Sequence, residues 1–315
     1  MDSAVFSAMG LALNEARKYV GATSPNPPVG AVVLDSEGSV LAFGAHRRSG
    51  TAHAEARALE ICIEKGTIQK AHSLIVTLEP CNHSGKTPPC VDAILRHGIA
   101  RVYYGSTDPN PIAGGGAERL RKNGVQVTSA VRERECDELL LPFRTRILSG
   151  IPFITVKTAH QLDGSMIPPV GRKTFTSEES LRFAHQLRKE SDAVLTGSGT
   201  VLADNPQFTV RHVPDHPGKS RWLVVLDRRG RVPPGWTESV SRLGLRVVFP
   251  ASIQEGLRFL SEQGVLQVLV EAGPELSGEM LAQGLWHRQV QIFQGLENEA
   301  DRIVILRNDN GPSFR

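Results

Sequence analysis

The chain has 315 residues, 40% of them hydrophobic and 22% charged, which is the composition of an ordinary globular protein and predicts about two domains. A formal charge of +3 is too small to demand a nucleic-acid partner, and no apolar run approaches the length of a membrane-spanning helix. The start, Met1-Asp2-Ser3-Ala4-Val5-Phe6, lacks the basic region of a signal peptide, and the four cysteines do not read as a disulfide framework, so a reducing, cytoplasmic setting is expected.

Phe6, Met9, Leu13, Ala16 and Val20 recur at helical spacing and predict a helix over 3–20. After the turn-rich Ser24-Pro25-Asn26-Pro27-Pro28, the β-branched run 29–34 and the stretch 40–44 read as a hairpin around Gly38. A helix is expected to open at His53 and run to about Lys65, with Ala56, Leu59, Ile61 and Ile63 mostly inward. A strand over 73–78 delivers Glu79-Pro80-Cys81, and Pro88-Pro89 starts a helix with Cys90 in its first turn. Strand 101–105, helix 116–123, strand 125–128 and a charged helix over 132–149 complete an alternating α/β pattern. The turn Ser149-Gly150-Ile151-Pro152 places a domain boundary, giving domains 1–149 and 150–315. The second domain reads as another α/β unit: strands 153–157, 193–196, 222–226, 246–249, 268–270 and 289–293, with helices over 177–190 and 253–262 and one following Gly273-Pro274.

The chemistry concentrates in His53-Ala54-Glu55, Pro80-Cys81 and Cys90. An imidazole and two thiolates are good Zn²⁺ ligands, and three protein ligands leave a position open for water. Glu55 could then move protons between that water and a substrate nitrogen. His-x-Glu followed by Pro-Cys and a second Cys is the pattern of zinc nucleobase deaminases, although there the cysteines usually lie two residues apart and here eight residues separate them. A closed, structural zinc with His83 as fourth ligand would leave Glu55 without a task. Cys62 and Cys136, on apolar helix positions, read as small buried hydrophobes.

The stretch Pro80-Cys81-x-His83-x-Gly85-Lys86-Thr87-Pro88-Pro89-Cys90 resembles the deaminase half of a bifunctional riboflavin-biosynthesis family. That family joins a diaminohydroxyphosphoribosylaminopyrimidine deaminase to a 5-amino-6-(5-phosphoribosylamino)uracil reductase. Further matching stretches are Pro25-Asn26-Pro27, Thr77-Leu78-Glu79-Pro80-Cys81, Asp108-Pro109-Asn110-Pro111, Leu162-Asp163-Gly164, Thr200 to Pro206 and Glu271-Ala272-Gly273-Pro274, so the resemblance covers about residues 1–285. It implies a cytidine-deaminase-like α/β/α sandwich followed by a dihydrofolate-reductase-like α/β domain. It implies Zn²⁺ on His53, Cys81 and Cys90, proton transfer by Glu55, and substrate contacts from Asn26, His46, His83, Lys86 and Thr87. In the second domain it implies NADPH on Thr200, Asp204 and Gly273, and the phosphoribosyl substrate on Lys157, Arg188, Arg211 and Glu271. A homodimer or homotetramer acting on a phosphoribosylated pyrimidine, without nucleic acid or membrane, is the corresponding assembly.

The second domain departs from the family pattern at Gln161, where Ser is usual, and over 170–175, where Gly-x-Ser-x-Trp is usual; the chain also stops early at Arg315. These departures open an alternative: a deaminase whose second domain is a structural or dimerisation module without catalysis. A nucleic-acid base deaminase is a further alternative, but aromatic residues make up only 5% of the chain and no basic stripe accompanies them.

Overall fold

The computed structural model describes residues 3–84, 88–169, 171, 174–296, 299–308 and 311–312. The chain divides into two compact units, Met1–Leu148 and Ser149–Arg315.

In the first unit, helix α1 (Ser3–Arg17) leads into the hairpin β1 (Gly30–Leu34) and β2 (Val40–Ala45). Helix α2 (Ala54–Glu64), strand β3 (Ser73–Leu78), helix α3 (Cys90–Arg96), strand β4 (Arg101–Ser106), helix α4 (Gly116–Lys122), strand β5 (Gln126–Thr128) and helix α5 (Glu133–Ser149) follow. The sheet order is β2-β1-β3-β4-β5, with β1 antiparallel to both its neighbours and β3, β4 and β5 parallel. Alternation along β1 and β3 feeds two cores. Val32, Leu34 and Ile75 pack under Met9 and Leu13 of α1 and Cys136 of α5. Ala31, Val33, Leu74 and Val76 pack under Ala58, Leu59 and Cys62 of α2 and Ile94 of α3. The strands are buried on both faces, which explains why they read as unbroken apolar runs. Each fully buried Leu or Ile contributes about 1.5–3 kcal/mol.

The inward stripe of α2 differs from the expected one. Ala54, Glu55, Ala58, Leu59 and Cys62 are buried, whereas Ile63 is 49% exposed and Ala56 and Ile61 are half-buried. Ala54, Ala58, Leu59 and Cys62 face the sheet, and Glu55 on the same side lines the cavity, so the inward face lies about one position from the expected one.

The second unit begins with β6 (Phe153–His160), α6 (Glu178–Glu190), β7 (Ala193–Gly197), α7 (Ser198–Asp204) and β8 (Arg221–Leu226). It continues with α8 (Pro234–Arg242), β9 (Leu245–Val248), α9 (Ile253–Glu262), β10 (Gln267–Glu271), α10 (Pro274–Ala282), β11 (Arg288–Phe293) and β12 (Arg302–Arg307). The sheet order is β12-β11-β6-β10-β7-β8-β9; only β12 runs antiparallel to its neighbour. Leu257 and Leu260 of α9 and Met280 of α10 cover one face through Ile154, Leu195, Val224 and Val268. Val201 of α7 and Trp236 and Val240 of α8 cover the other through Val194, Leu223 and Val225, and Leu187 of α6 covers Leu269 and Val290. A parallel sheet of this kind presents its strand C-termini, and the loops after them, along one edge, where ligands of open α/β sheets bind.

Candidate active sites

In the first unit three elements converge. His53 is the N-cap residue of α2, Cys81 follows the C-terminal end of β3, and Cys90 is the first residue of α3. His53 Nδ1 lies 3.5 Å from Cys81 Sγ and 3.3 Å from Cys90 Sγ. All three donor atoms fall within 4.8 Å of one another. Tetrahedral zinc bonds of about 2.3 Å to sulfur and 2.0–2.1 Å to nitrogen put such donors about 3.5 Å apart, so the set fits Zn²⁺. The Cys90 backbone N–H also points at Cys81 Sγ, at 3.4 Å. The Cys90 thiol donates to Cys81 and holds it down to about 4, with His53 adding to the effect, while Cys90 itself is pushed up. His53 is raised, first by its hydrogen bond to Cys81.

The loop that carries Cys81 is locked from behind. The buried Glu79 carboxylate accepts the Ala117 N–H at 3.0 Å, and Asn82 N–H donates to Ala113 O at 3.0 Å. Arg119 donates to Asn82 Oδ1 at 3.0 Å and to Asp92 at 2.6 Å, tying the two ends of the cysteine loop. Gly116 packs so closely that a Cβ there would lie 1.8 Å from Pro80 O.

Glu55, only 4% exposed, lines a cavity of about 320 Å³ together with His53 and Cys81. Burial pushes its carboxyl up to about 7, and the charge of Cys81 adds to this. Asn26, His46 and His83 line the same cavity. Asn26 Nδ2 donates to His46 Nε2 at 3.2 Å, and His46 Nδ1 donates to Ala52 O at 3.2 Å, which fixes the ring as a neutral tautomer. Burial, the largest cause, lowers the His46 pKa, in keeping with that neutrality. Lys86 and Thr87 lie outside the described residues.

Two residues that the sequence reasoning did not single out as site residues also face this cavity, Asp108 and Asn110. Asp108 Oδ1 accepts the Asn110 N–H at 2.9 Å, and burial raises its carboxyl to about 6. Their signal was the Asp108-Pro109-Asn110-Pro111 turn directly after β4.

In the second unit, Thr200, Asp204 and Gly273 line one cavity of about 660 Å³ along the strand C-termini. Thr200 Oγ1 accepts the Gly273 N–H at 3.0 Å and so joins α7 to the start of α10. Asp204, which reads from sequence as part of a turn, is the last residue of α7, and Asn205 caps that helix in the left-handed region at φ 44. The cavity also receives Ser198 and the arginines 228, 229 and 231, which follow β8.

Lys157, Arg188 and Glu271 form a separate ion cluster and do not line that cavity. Arg188 grips Glu271 through Nε and Nη2, each at 2.9 Å, and donates to Thr209 O at 2.6 Å. Lys157 Nζ stands 3.7 Å from Glu271. Burial alone would raise the Glu271 carboxyl, but the charges of Arg188 and Lys157 outweigh it and leave the group below its ordinary value. The Arg211 guanidinium donates to Gln207 Oε1 at 3.2 Å and Thr209 Oγ1 at 2.9 Å, while its N–H donates to His185 Nδ1 at 2.9 Å.

Comparison with known proteins matches both halves. The cytidine and deoxycytidylate deaminase zinc-binding region matches residues 4–106, and the RibD C-terminal domain matches 152–293. The riboflavin biosynthesis protein RibD of Aquifex aeolicus is 39% identical over 306 residues, covering 90% of this chain and 84% of that protein. RibD of Escherichia coli is 35% identical over 311 residues, covering 88% and 84%. Among solved structures, a diaminohydroxyphosphoribosylaminopyrimidine deaminase/5-amino-6-(5-phosphoribosylamino)uracil reductase from Thermotoga maritima superposes with a TM-score of 0.82 at 34% identity, covering 94% of this chain and 88% of that one. Acinetobacter baumannii RibD gives 0.81 at 30% identity, covering 95% and 89%. Similarity of this extent, running through both units and both cavities, makes the chain a member of the RibD family of riboflavin-biosynthesis proteins.

Proposed function

We propose that the first unit deaminates a diaminohydroxyphosphoribosylaminopyrimidine by hydrolysis and that the second reduces the ribosyl chain of the product to ribityl with NADPH. The observation that carries the first step is the grouping of His53, Cys81 and Cys90 donor atoms within 4.8 Å beside a cavity that also holds the buried Glu55. When bound by those residues, zinc supplies a Lewis acid that lowers the pKa of a water near the substrate. Glu55 takes one proton from that water and delivers it to the ring nitrogen, then takes the second proton from the added hydroxyl as the carbonyl forms and passes it to the departing amine. Water is consumed and ammonia leaves, so the exchange balances without a redox step. His46, fixed by Asn26 and Ala52, presents a rigid wall to the pyrimidine, and Asp108 and Asn110 offer it polar partners.

In the second unit Thr200, Asp204 and Gly273 are the residues that would hold the dinucleotide, which supplies the hydride. Arg188, Arg211 and Lys157 supply the positive charge for a phosphorylated substrate, with Glu271 orienting Arg188. The membership of the chain in the RibD family across both units supports catalysis in the second one over a purely structural role. Among the described residues no helix is long and apolar enough to cross a membrane. We extend the reading to a cytoplasmic homodimer or homotetramer; the exposed edge strand β12, with Ile305 and Leu306 outward, supports a contact between copies. Light scattering reads the assembly.

The direct test supplies the diaminopyrimidine phosphoribosyl substrate to zinc-loaded protein with and without NADPH, following ammonia and NADPH oxidation separately. Both signals are expected, NADPH oxidation only after deamination. Ammonia without NADPH oxidation removes the reductase assignment; no ammonia removes the substrate assignment.

A further inference from the structure

We propose that Arg146 meets the phosphate of the phosphoribosyl substrate in the first unit and makes the deaminase select the phosphorylated pyrimidine over its nucleoside. The inference rests on the deamination reading above and gives the end of α5 a task in substrate choice.

The path of α5 brings its last turns to the cavity. Cys136, in the first turn, sits over β3 and β4 near their C-terminal ends: a Cβ at Gly105 would lie 2.2 Å from Cys136 Sγ and 3.0 Å from Thr77 O. Residue 146 is ten positions further on, about 15 Å along the helix axis. Arg144 fixes where those turns lie, since its Nη1 donates to Ser106 Oγ at 3.2 Å and to Thr107 O at 3.4 Å and stands 3.4 Å from Asp137. The end of the helix is thereby tied to the chain directly before Asp108. Phe143, Arg146 and Ile147 fall at i, i+3 and i+4, on one face of the helix, and all three line the cavity. Phe143 and Ile147 supply apolar surface, and Arg146 supplies charge beside it.

Charge in this cavity is uneven. The carboxylates of Glu55, Glu79 and Asp108 line it, whereas Arg146 is the one arginine or lysine among the described residues that do so. Burial pushes the Glu55 and Asp108 carboxyls up to about 7 and about 6, and the charges of Glu79 and Cys81 add to the effect at Asp108. A phosphate dianion is repelled by these groups and attracted by Arg146. The same field orients the substrate, with the uncharged pyrimidine toward the metal ligands and the phosphate toward α5.

Burial also holds the Arg146 guanidinium below its ordinary pKa. A cation shielded from water in this way attracts an anion more strongly than an exposed one does. Its planar fork suits the oxygens of a phosphate monoester, which accept paired, charge-assisted hydrogen bonds. Arg144, two residues earlier, is engaged with Ser106, Thr107 and Asp137 and holds the helix in place.

The test compares the diaminopyrimidine phosphoribosyl substrate with its dephosphorylated nucleoside. Binding is read by calorimetry on the zinc-loaded full chain carrying Glu55→Gln, which turns the substrate over too slowly to disturb the measurement. Adding Arg146→Gln should weaken the phosphorylated ligand about 10- to 100-fold and leave the nucleoside unchanged, which also reports an intact cavity. In the otherwise wild-type chain, Arg146→Gln should raise KM for the phosphorylated substrate by a similar factor with kcat little altered, and Arg146→Lys should recover part of the loss. A parent that binds both ligands alike would overturn the assignment. Equal loss of both ligands in Arg146→Gln would also overturn it, since the arginine would then shape the cavity and not meet the phosphate. Unchanged discrimination in that variant would do the same and leave the anion to other residues, Lys86 among them. All three outcomes leave the deamination reading standing so long as the wild type releases ammonia; a wild type that releases none sinks the assignment and that reading together.

Discussion

The two units solve the problem of building a site in opposite ways. In the first, the candidate reacting groups come from a short span, His53 to Cys90, and are held by a frame behind them: Glu79, Arg119 and the close contact of Gly116 with Pro80. In the second, the candidate groups are gathered from β6, α6, α7, the loop after β8, β10 and α10, spread over residues 157 to 279. The first site depends on ligand spacing and one buried carboxylate. The second depends on charge balance along a sheet edge. A local change should therefore abolish the first activity while sparing the fold, whereas the second unit should lose stability and function together.

The largest expected effect sharpens that contrast. Glu55→Gln should lower deamination about 10²- to 10⁴-fold, because a neutral amide cannot relay the proton. Zinc content by metal analysis and NADPH binding should be retained. Loss of zinc in this variant would mean that Glu55 shapes the ligand set and would blur the distinction.

Arg188→Ala tests the other half. It strips the bidentate partner from Glu271, whose side chain is only 8% exposed, leaving Lys157 at 3.7 Å as the nearest positive charge. Removing one member of such a buried pair typically destabilises by about 3–5 kcal/mol, read here as a fall in the chemical-denaturation midpoint of the second unit. An unchanged midpoint would show that Glu271 is solvated or protonated in the variant at little expense. The pair contributes stability above the unfolded carboxyl pKa and loses it as pH falls through the lower folded value.

Gly116→Ala should have a smaller effect, about 1–3 kcal/mol, from a Cβ driven against Pro80 O. Because Pro80 precedes Cys81, the variant should also bind zinc more weakly in a competition titration with a chelator. Normal zinc affinity would show that the cysteine loop shifts as a body.

The mildest test is acidification. Burial lowers both His185 and His287 from 6.5 to about 4. Each accepts a backbone hydrogen bond at its Nδ1, from Arg211 and Ile154, and so stays neutral in the fold. The unfolded chain takes up these protons first, so the second unit should lose stability as pH falls from 6.5 to about 4 and lose no more from them below that. His287→Gln, which keeps an acceptor for Ile154, should flatten part of that slope; an unaltered slope would place the titration elsewhere.

The same contrast explains what could be read in advance. Strands β1, β3 and β10 stand out as apolar runs because both faces are buried, and the candidate zinc ligands stand out because their chemistry is rare and their spacing compact. Other features were hidden for physical reasons. The face of α2 was misread at Ile63 because a buried carboxylate, Glu55, carried the inward stripe and apolar periodicity does not count it. Helices α7 and α8 are short, one starting in Ser-Gly and the other in Pro-Gly, residues that locally favour turns. Strand β12 pairs with one neighbour and is largely exposed, so it lacks the continuous burial that marks β1, β3 and β10. The grip of Arg188 on Glu271 joins residues 83 positions apart and has no local signature.

Both compact units are encoded in a single polypeptide. Translation therefore delivers the two activities in a fixed one-to-one ratio, whatever the level of expression. Flux through the pair cannot be tuned by making more of one enzyme than the other, so any mismatch between the steps must be corrected in the turnover numbers themselves. A slow second unit would let the deaminated intermediate accumulate in proportion to total protein, and selection on this chain acts on the ratio of two rate constants.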